Sequence, residues 1–407
     1  MTKTRRGLLG ASGAIGAMAG SVALAACGGA AGESGAGGGT AGSGTPVSVG
    51  ATASLTGASA KQGQAQKEGY ELWAERGSVL GRPVKLTILD DTSDPATGTK
   101  LYEKLIAEDK VDLVLGPTLS SVTHAASIAT EKLKYAMLAT GVSASDIFKR
   151  NHKYVFGVTT SPDNLFHPVI DLALKSNLRK VALINEDTPF ANAAAAVTAN
   201  YARQKGMQTV TQQRYAAKAT DLTTQLNQMK GTAPEVVLAG SYEPEAILMA
   251  RQLKELDINV KMLAFSFGGA SPEFQAGATT NADYVLGPSA WEVGINTPGN
   301  KEFVEAYKKK FGHDPTAVAA AAYAGGQVLD AAAKKAGGLS NEKLREALVT
   351  LEATTILPGK FTVDDTGMQT GHTPVVVQWQ GKEKVVVAPD NLATGKAKLP
   401  APDWKAR

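Results

Sequence analysis

Val111-Asp112-Leu113-Val114-Leu115-Gly116-Pro117-Thr118-Leu119-Ser120-Ser121 runs from a short apolar stretch through a Gly-Pro turn into a segment with helical spacing. Such a unit predicts a buried strand, a tight loop and a helix over 121–133. The same grammar recurs on both sides of it. Strand-like runs at 47–50, 84–89, 181–184 and 236–239 are trailed by helical stretches at 62–76, 96–109, 191–205 and 244–256. Apolar runs of about five residues, each followed by a helix, predict βαβ units and parallel sheets with helices on both faces. Ligands in such sheets sit beyond the carboxyl ends of the strands, so the strand-to-helix loops are where binding is expected.

Two of those loops resemble each other. Ser120 or Ser121 is placed to cap the helix after Gly116-Pro117, leaving backbone N–H groups outward, an arrangement suited to a carboxylate. Ala139-Thr140-Gly141-Val142-Ser143 follows the strand-like Ala136-Met137-Leu138 in the same way and precedes a helical stretch at 144–149. Together they predict one pocket wall lined by N–H and hydroxyl donors.

Composition removes several function classes. The 407 residues carry 42 Lys+Arg and 38 Asp+Glu, a formal +4, and residues 1–26 hold Lys3, Arg5 and Arg6 without an acid. The remaining body is nearly neutral, which argues against a nucleic-acid partner. The one cysteine, Cys27, excludes an internal disulfide framework and a Cys-cluster metal site. The five histidines (His124, His152, His167, His313, His372) show no metal-ligand spacing, and no phosphate loop or serine-hydrolase elbow is present. Asp90-Asp91 and Asp364-Asp365 read as solvated loop acids, and Trp73, Trp291 and Trp379 as packing residues. No cofactor, metal or catalytic residue is expected.

The first 45 residues read as an address, an anchor and a tether. Paired Arg5-Arg6, a small-residue apolar stretch and Leu24-Ala25-Ala26-Cys27 have the parts of an export signal over 1–26. They resemble a twin-arginine signal ending in a lipoprotein lipobox, which implies lipid on Cys27 and attachment to the outer side of the cell membrane. The Gly/Ser/Ala-rich stretch at 27–45 predicts a flexible tether. Its Gly37, Gly39 and Gly42 match a dinucleotide-binding spacing, but no strand precedes them and no helix follows.

The body, from about Val47 to Val387, resembles the leucine/isoleucine/valine-type solute-binding proteins of ABC importers. The resemblance is carried by Ser54-Leu55-Thr56-Gly57 with Gly63, Leu115-Gly116-Pro117 with Ser120-Ser121, Thr159 to Asp163, Val181-Ala182-Leu183-Ile184 with Phe190, Thr220-Asp221-Leu222 and Gly240-Ser241-Tyr242. It implies a type I periplasmic-binding fold, α/β, with two doubly wound parallel-sheet lobes joined by a three-stranded hinge. The lobes implied are 47–161 plus 289–372 and 162–288 plus 373–400, in a monomer that hands its solute to a membrane permease. By the same resemblance Ser120, Ser121, Ser143 and the Gly141 N–H hold a carboxylate, and Phe190 and Tyr242 come from the second lobe. Gln62 lies at the mouth, and Asp163 beside the first crossing. Ser266 stands where branched-chain amino acid binders place a glutamate against the ligand's ammonium. Either Glu243 or Asp163 substitutes, or the ligand lacks an α-amino group. A sensor subunit using the same cleft, and a hydrolase with Ser120 or Ser143 as nucleophile, are the competing readings.

Overall fold

The computed structural model of the chain describes residues 44–142, 144–161, 164–266 and 268–407. Its first sheet is built from β1 (Val47–Ala53), β2 (Val84–Asp90), β3 (Leu113–Leu115), β4 (Met137–Ala139) and β5 (Val155–Gly157), in the order β2-β1-β3-β4-β5. Every pairing in it is parallel. Helices α1 (Ala60–Arg76), α2 (Pro95–Glu103) and α3 (Ser120–Leu133) make the crossovers. The alternation within β3 shows why such strands read as unbroken apolar runs. Leu113 and Leu115 join the core cluster on one face, while Val114 joins that on the other.

The chain then enters a second sheet. It runs through α4 (His167–Lys175), β6 (Lys180–Glu186), α5 (Pro189–Gln204), β7 (Gln208–Tyr215), α6 (Thr223–Lys230), β8 (Val236–Gly240), α7 (Glu243–Glu255), β9 (Met262–Phe265), α8 (Pro272–Ala278) and β10 (Leu286–Ser289). It returns to the first lobe as α9 (Asn300–Phe311), α10 (Ala317–Ala336) and α11 (Asn341–Val349), and pairs a short β11 (Ala353–Thr354) with β12 (Lys360–Phe361). Finally β13 (Val375–Gln380) and β14 (Glu383–Ala388) add antiparallel strands to the second sheet, whose order is β14-β13-β10-β9-β8-β6-β7. The result is an α/β molecule with a mostly parallel sheet in each of two lobes.

Close helix contact ties α10 back to the first lobe. A Cβ on Gly69 of α1 would stand 2.2 Å from the Ala319 carbonyl oxygen, and one on Gly326 of α10 would stand 2.0 Å from the Trp73 ring. Only glycine allows backbone and indole to approach so closely. In the second lobe Trp404 joins the buried cluster with Phe265 and Trp379, so packing there extends past residue 400. Residues 1–26, Cys27 and the tether as far as 43 lie outside the described residues. Among the described residues no helix is long and apolar enough to cross a membrane.

Candidate functional site

The two donor-rich loops of the first lobe adjoin. The Gly116 N–H donates to the Leu138 carbonyl at 2.8 Å. A Cβ at Gly141 would lie 2.1 Å from the Thr118 carbonyl oxygen and 2.8 Å from that of Pro117, so the second loop packs backbone to backbone on the first. Behind them sits a buried polar network rooted in α1. Gln66 Nε2 donates to the Gly116 carbonyl (3.1 Å) and to Thr140 Oγ1 (3.0 Å), and the Tyr70 hydroxyl donates to the same Gly116 carbonyl (2.8 Å). Thr118 Oγ1 donates to Gln66 Oε1 and accepts from the Ser54 N–H at 3.0 Å. Burial pushes the Tyr70 hydroxyl far above its ordinary range, so it stays a protonated donor.

The helix after the first loop starts differently from expectation. Ser120 is the first residue of α3 and Leu119 occupies the N-cap position, with no side chain capping it. The serines therefore do not serve as caps. Ser120 is half-buried and Ser121 exposed.

Asp91 corrects its reading as a solvated acid. It is fully buried and accepts hydrogen bonds from Thr52 Oγ1 (2.8 Å), Ser54 Oγ (2.7 Å) and the Ser93 N–H (3.1 Å). Its neighbour Asp90 accepts from the Thr56 hydroxyl and from the N–H groups of Leu55, Thr56 and Thr92. Partial burial works to raise the Asp90 pKa, but these hydrogen bonds outweigh it and hold the carboxyl below its ordinary value. The two acids, both accepting from the 52–56 stretch, shape the turn at 54–57.

Between the lobes lies a cleft of about 830 Å³. The first lobe contributes Thr140, Gly141 and Val142, and the second contributes Ser266 and Ala270. Thr159 and Thr160, just beyond β5, line it as well, with the Thr159 hydroxyl held to the Val142 carbonyl at 2.5 Å. Trp291 is buried, as a packing residue should be, yet it also lines the cleft, which corrects the view that nothing ties it there. A smaller chamber of about 30 Å³ opens within the second lobe, lined by Asn185, Ser241 and Tyr242, and shares Leu165 and Ser266 with the cleft.

The sequence-derived site residues are thus divided. Gly141 and Ser266 are on the cleft wall and Tyr242 on the adjoining chamber, where it stays half exposed. Ser266 Oγ accepts from the Ser241 N–H at 3.1 Å and donates to the Ser241 carbonyl at 3.2 Å, so its hydroxyl braces the neighbouring strand end. Ser120, Ser121, Gln62 and Glu243 do not line either cavity, and Gln62 is exposed. Ser143 and Asp163 lie outside the described residues. Phe190 is the second residue of α5, and its side chain lies outside the described residues.

Glu292, Lys384 and Asp314 also line the cleft, and sequence reasoning missed all three. They belong to segments far apart in the chain, and no local spacing links them.

This geometry, a cleft at the carboxyl ends of two parallel sheets, agrees with what known proteins show. The family model for periplasmic binding proteins matches residues 46–384. The chain belongs to that family. It is 25% identical over 376 residues to the Leu/Ile/Val-binding protein homolog 7 of Brucella abortus, covering 87% of this chain and 94% of the relative. Among solved structures, a leucine-binding protein from Thermotoga maritima superposes with a TM-score of 0.68 at 22% identity, over 85% of this chain and 100% of that one. A solute-binding protein from R. palustris in complex with benzoate superposes with a TM-score of 0.64 at 18% identity, over 88% and 99% of the two chains. This binding protein shares their two-lobed fold.

In this binding protein a histidine ties the stretch that follows β5 to the stretch that precedes β13. His372, just before β13, is buried and donates from Nδ1 to the Val158 carbonyl at 2.7 Å, while Nε2 faces the Thr355 hydroxyl at 3.4 Å. Burial holds its pKa down at about 4, the hydrogen bond to Val158 working the other way.

Proposed function

We propose that this chain is an extracytoplasmic, lipid-anchored solute-binding protein that captures a small carboxylate-bearing solute and delivers it to an ABC permease. The observation that carries this reading is the cleft of about 830 Å³ walled by both lobes at their strand ends. Its lobes are 47–161 plus 289–372 and 162–288 plus 373–400, and they close on the solute about the crossings between them. The carboxylate is held by the Gly141 N–H with Ser143, on a wall stiffened by Gln66 and Tyr70, and Ser120 and Ser121, which lie off that wall, reach it as the lobes close. Phe190, Tyr242 and Ser266 meet the solute from the second lobe, with Gln62, Asp163 and Glu243 nearer the rim. Lipid on Cys27 keeps the protein beside its permease.

A carboxylate is common to the ligands named for the structural relatives, leucine in one case and benzoate in the other. With Ser266 in place of a glutamate, an amino acid needs its counter-charge elsewhere, whereas an organic acid needs none. A thermal-shift screen of the purified chain against amino acids and organic acids decides between these. One class should raise the melting temperature in a concentration-dependent way. A flat response across both classes, from a protein with a cooperative melt and an empty cleft by mass spectrometry, refutes the carboxylate reading.

A further inference from the structure

The cleft wall carries an ion pair with both partners on it, Glu292 and Lys384. Lys384 Nζ lies 2.8 Å from Glu292 Oε2, and the side chains are only 25% and 13% exposed for the lysine and the glutamate. The third charged residue on that wall, Asp314, is paired instead with Lys308 at 2.7 Å. Lys384 Nζ also donates to the Ala270 carbonyl at 3.2 Å. An ammonium has three N–H groups, so among the described residues at least one is left. Among the described residues the Glu292 carboxylate has Lys384 alone as a partner, which leaves most of its acceptor capacity open.

Both side chains stand on backbone that other bonds hold in place. Trp291 Nε1 donates to Asn300 Oδ1 at 2.8 Å, and Asn300 Nδ2 donates to the carbonyls of Val293 (3.2 Å) and Ile295 (2.9 Å). The turn bearing Glu292 is therefore pinned without the ion pair. Lys384 lies in β14 opposite Trp379 of β13. Partly burying two charges costs desolvation energy that apolar side chains of similar volume would not incur. A charged pair that lines a ligand cleft from rigid supports is arranged as a recognition element.

Its charge states the class of group it takes. The pair is neutral as a whole. A carboxylate brought to Lys384 also meets Glu292, and an ammonium brought to Glu292 also meets Lys384. An amide carries an acceptor and a donor side by side without net charge, and satisfies both partners at once. We propose that Glu292 and Lys384 form a second recognition point in the cleft, at which the lysine donates to the carbonyl and the glutamate accepts from the N–H of an amide on the solute. This rests on the cleft being the solute site. The solute is then an amino acid with a side-chain carboxamide or a short peptide. The cleft, at about 830 Å³, has room for either.

Calorimetric titration of the full purified chain with leucine, glutamine and leucyl-glycine tests this. The variants are K384M and the double variant E292Q/K384M, which removes both charges at nearly constant volume and leaves no buried charge unpaired. Glutamine or leucyl-glycine should bind about tenfold or more tightly than leucine, and whichever arm does so identifies the source of the amide. In both variants that preference should vanish while leucine affinity changes less than about twofold. Leucine binding with no preference for either amide probe overturns the proposal and leaves the cleft reading intact. So does a double variant that weakens all three probes equally, since the pair then acts on lobe geometry. Binding by none of the three, in a chain that melts cooperatively, also overturns it, and the organic-acid screen then judges the cleft by itself.

Discussion

The His372 imidazole donates from Nδ1 to the Val158 carbonyl at 2.7 Å, linking the stretch that leaves β5 to the stretch that enters β13. Burial disfavours the charged ring, and among the described residues no acid is bonded to it.

That neutrality makes stability depend on pH. The folded-state pKa, about 4, is below the ordinary value of 6.5. The contribution is therefore complete above pH 6.5 and is lost as pH falls toward 4. Its size is on the order of 3 kcal/mol. H372Q keeps a donor for Val158 but cannot titrate. Its melting temperature, compared with that of the parent from pH 7 to 4, should fall less steeply. Parallel curves would show that His372 does not control acid sensitivity.

Gly141→Ala places a Cβ 2.1 Å from the Thr118 carbonyl oxygen, which is backbone and has nowhere to go. We expect a loss of about 1–3 kcal/mol in chemical denaturation, together with weaker solute binding as the loops part. Unchanged denaturation and binding would mean that the two loops are not in contact.

Gln66 bonds three groups of the wall, and Tyr70 shares two of them. Gln66→Leu should cost about 2–3 kcal/mol and Tyr70→Phe about 1–2 kcal/mol. Because they share the Gly116 carbonyl, the double variant should cost less than the two effects added. Strict additivity in urea melts would contradict a single network.

Ser120→Ala and Ser143→Ala should each weaken binding of the solute found in the thermal screen by about 1–3 kcal/mol, with little change in the melting point of the empty protein. Ser120 does not occupy the N-cap position of α3, so its removal does not uncap the helix. A marked drop in the empty protein's melting point would assign the serines to the fold and not to the solute.

Cys27→Ser should move the protein from the membrane fraction to the soluble fraction of cells that export it, without altering solute affinity. Retention in the membrane fraction, measured by fractionation and blotting, would refute the lipid anchor.

Strands β1 to β4, β6 and β8 were legible because burial on two faces leaves apolar runs such as Leu113-Val114-Leu115 and Val181-Ala182-Leu183-Ile184. The loop carrying Gly141 was legible for a related reason: small and polar residues at a strand end mark a turn. Asp91 was misread because nothing in its own neighbourhood discloses that Thr52 and Ser54, on the adjacent strand, will turn their hydroxyls on it.

By itself the chain's residue order determined an alternation of strands and helices, hence two parallel sheets with loops gathered at their carboxyl ends, since periodicity and turn chemistry act over a few residues. Only the tertiary structure decided that Trp291, Glu292 and Lys384 line the same cleft as Gly141, that Ser266 spends its hydroxyl on Ser241, and that His372 closes on Val158. Those meetings depend on how helices and crossings pack segments distant in sequence, a long-range outcome to which no local pattern responds.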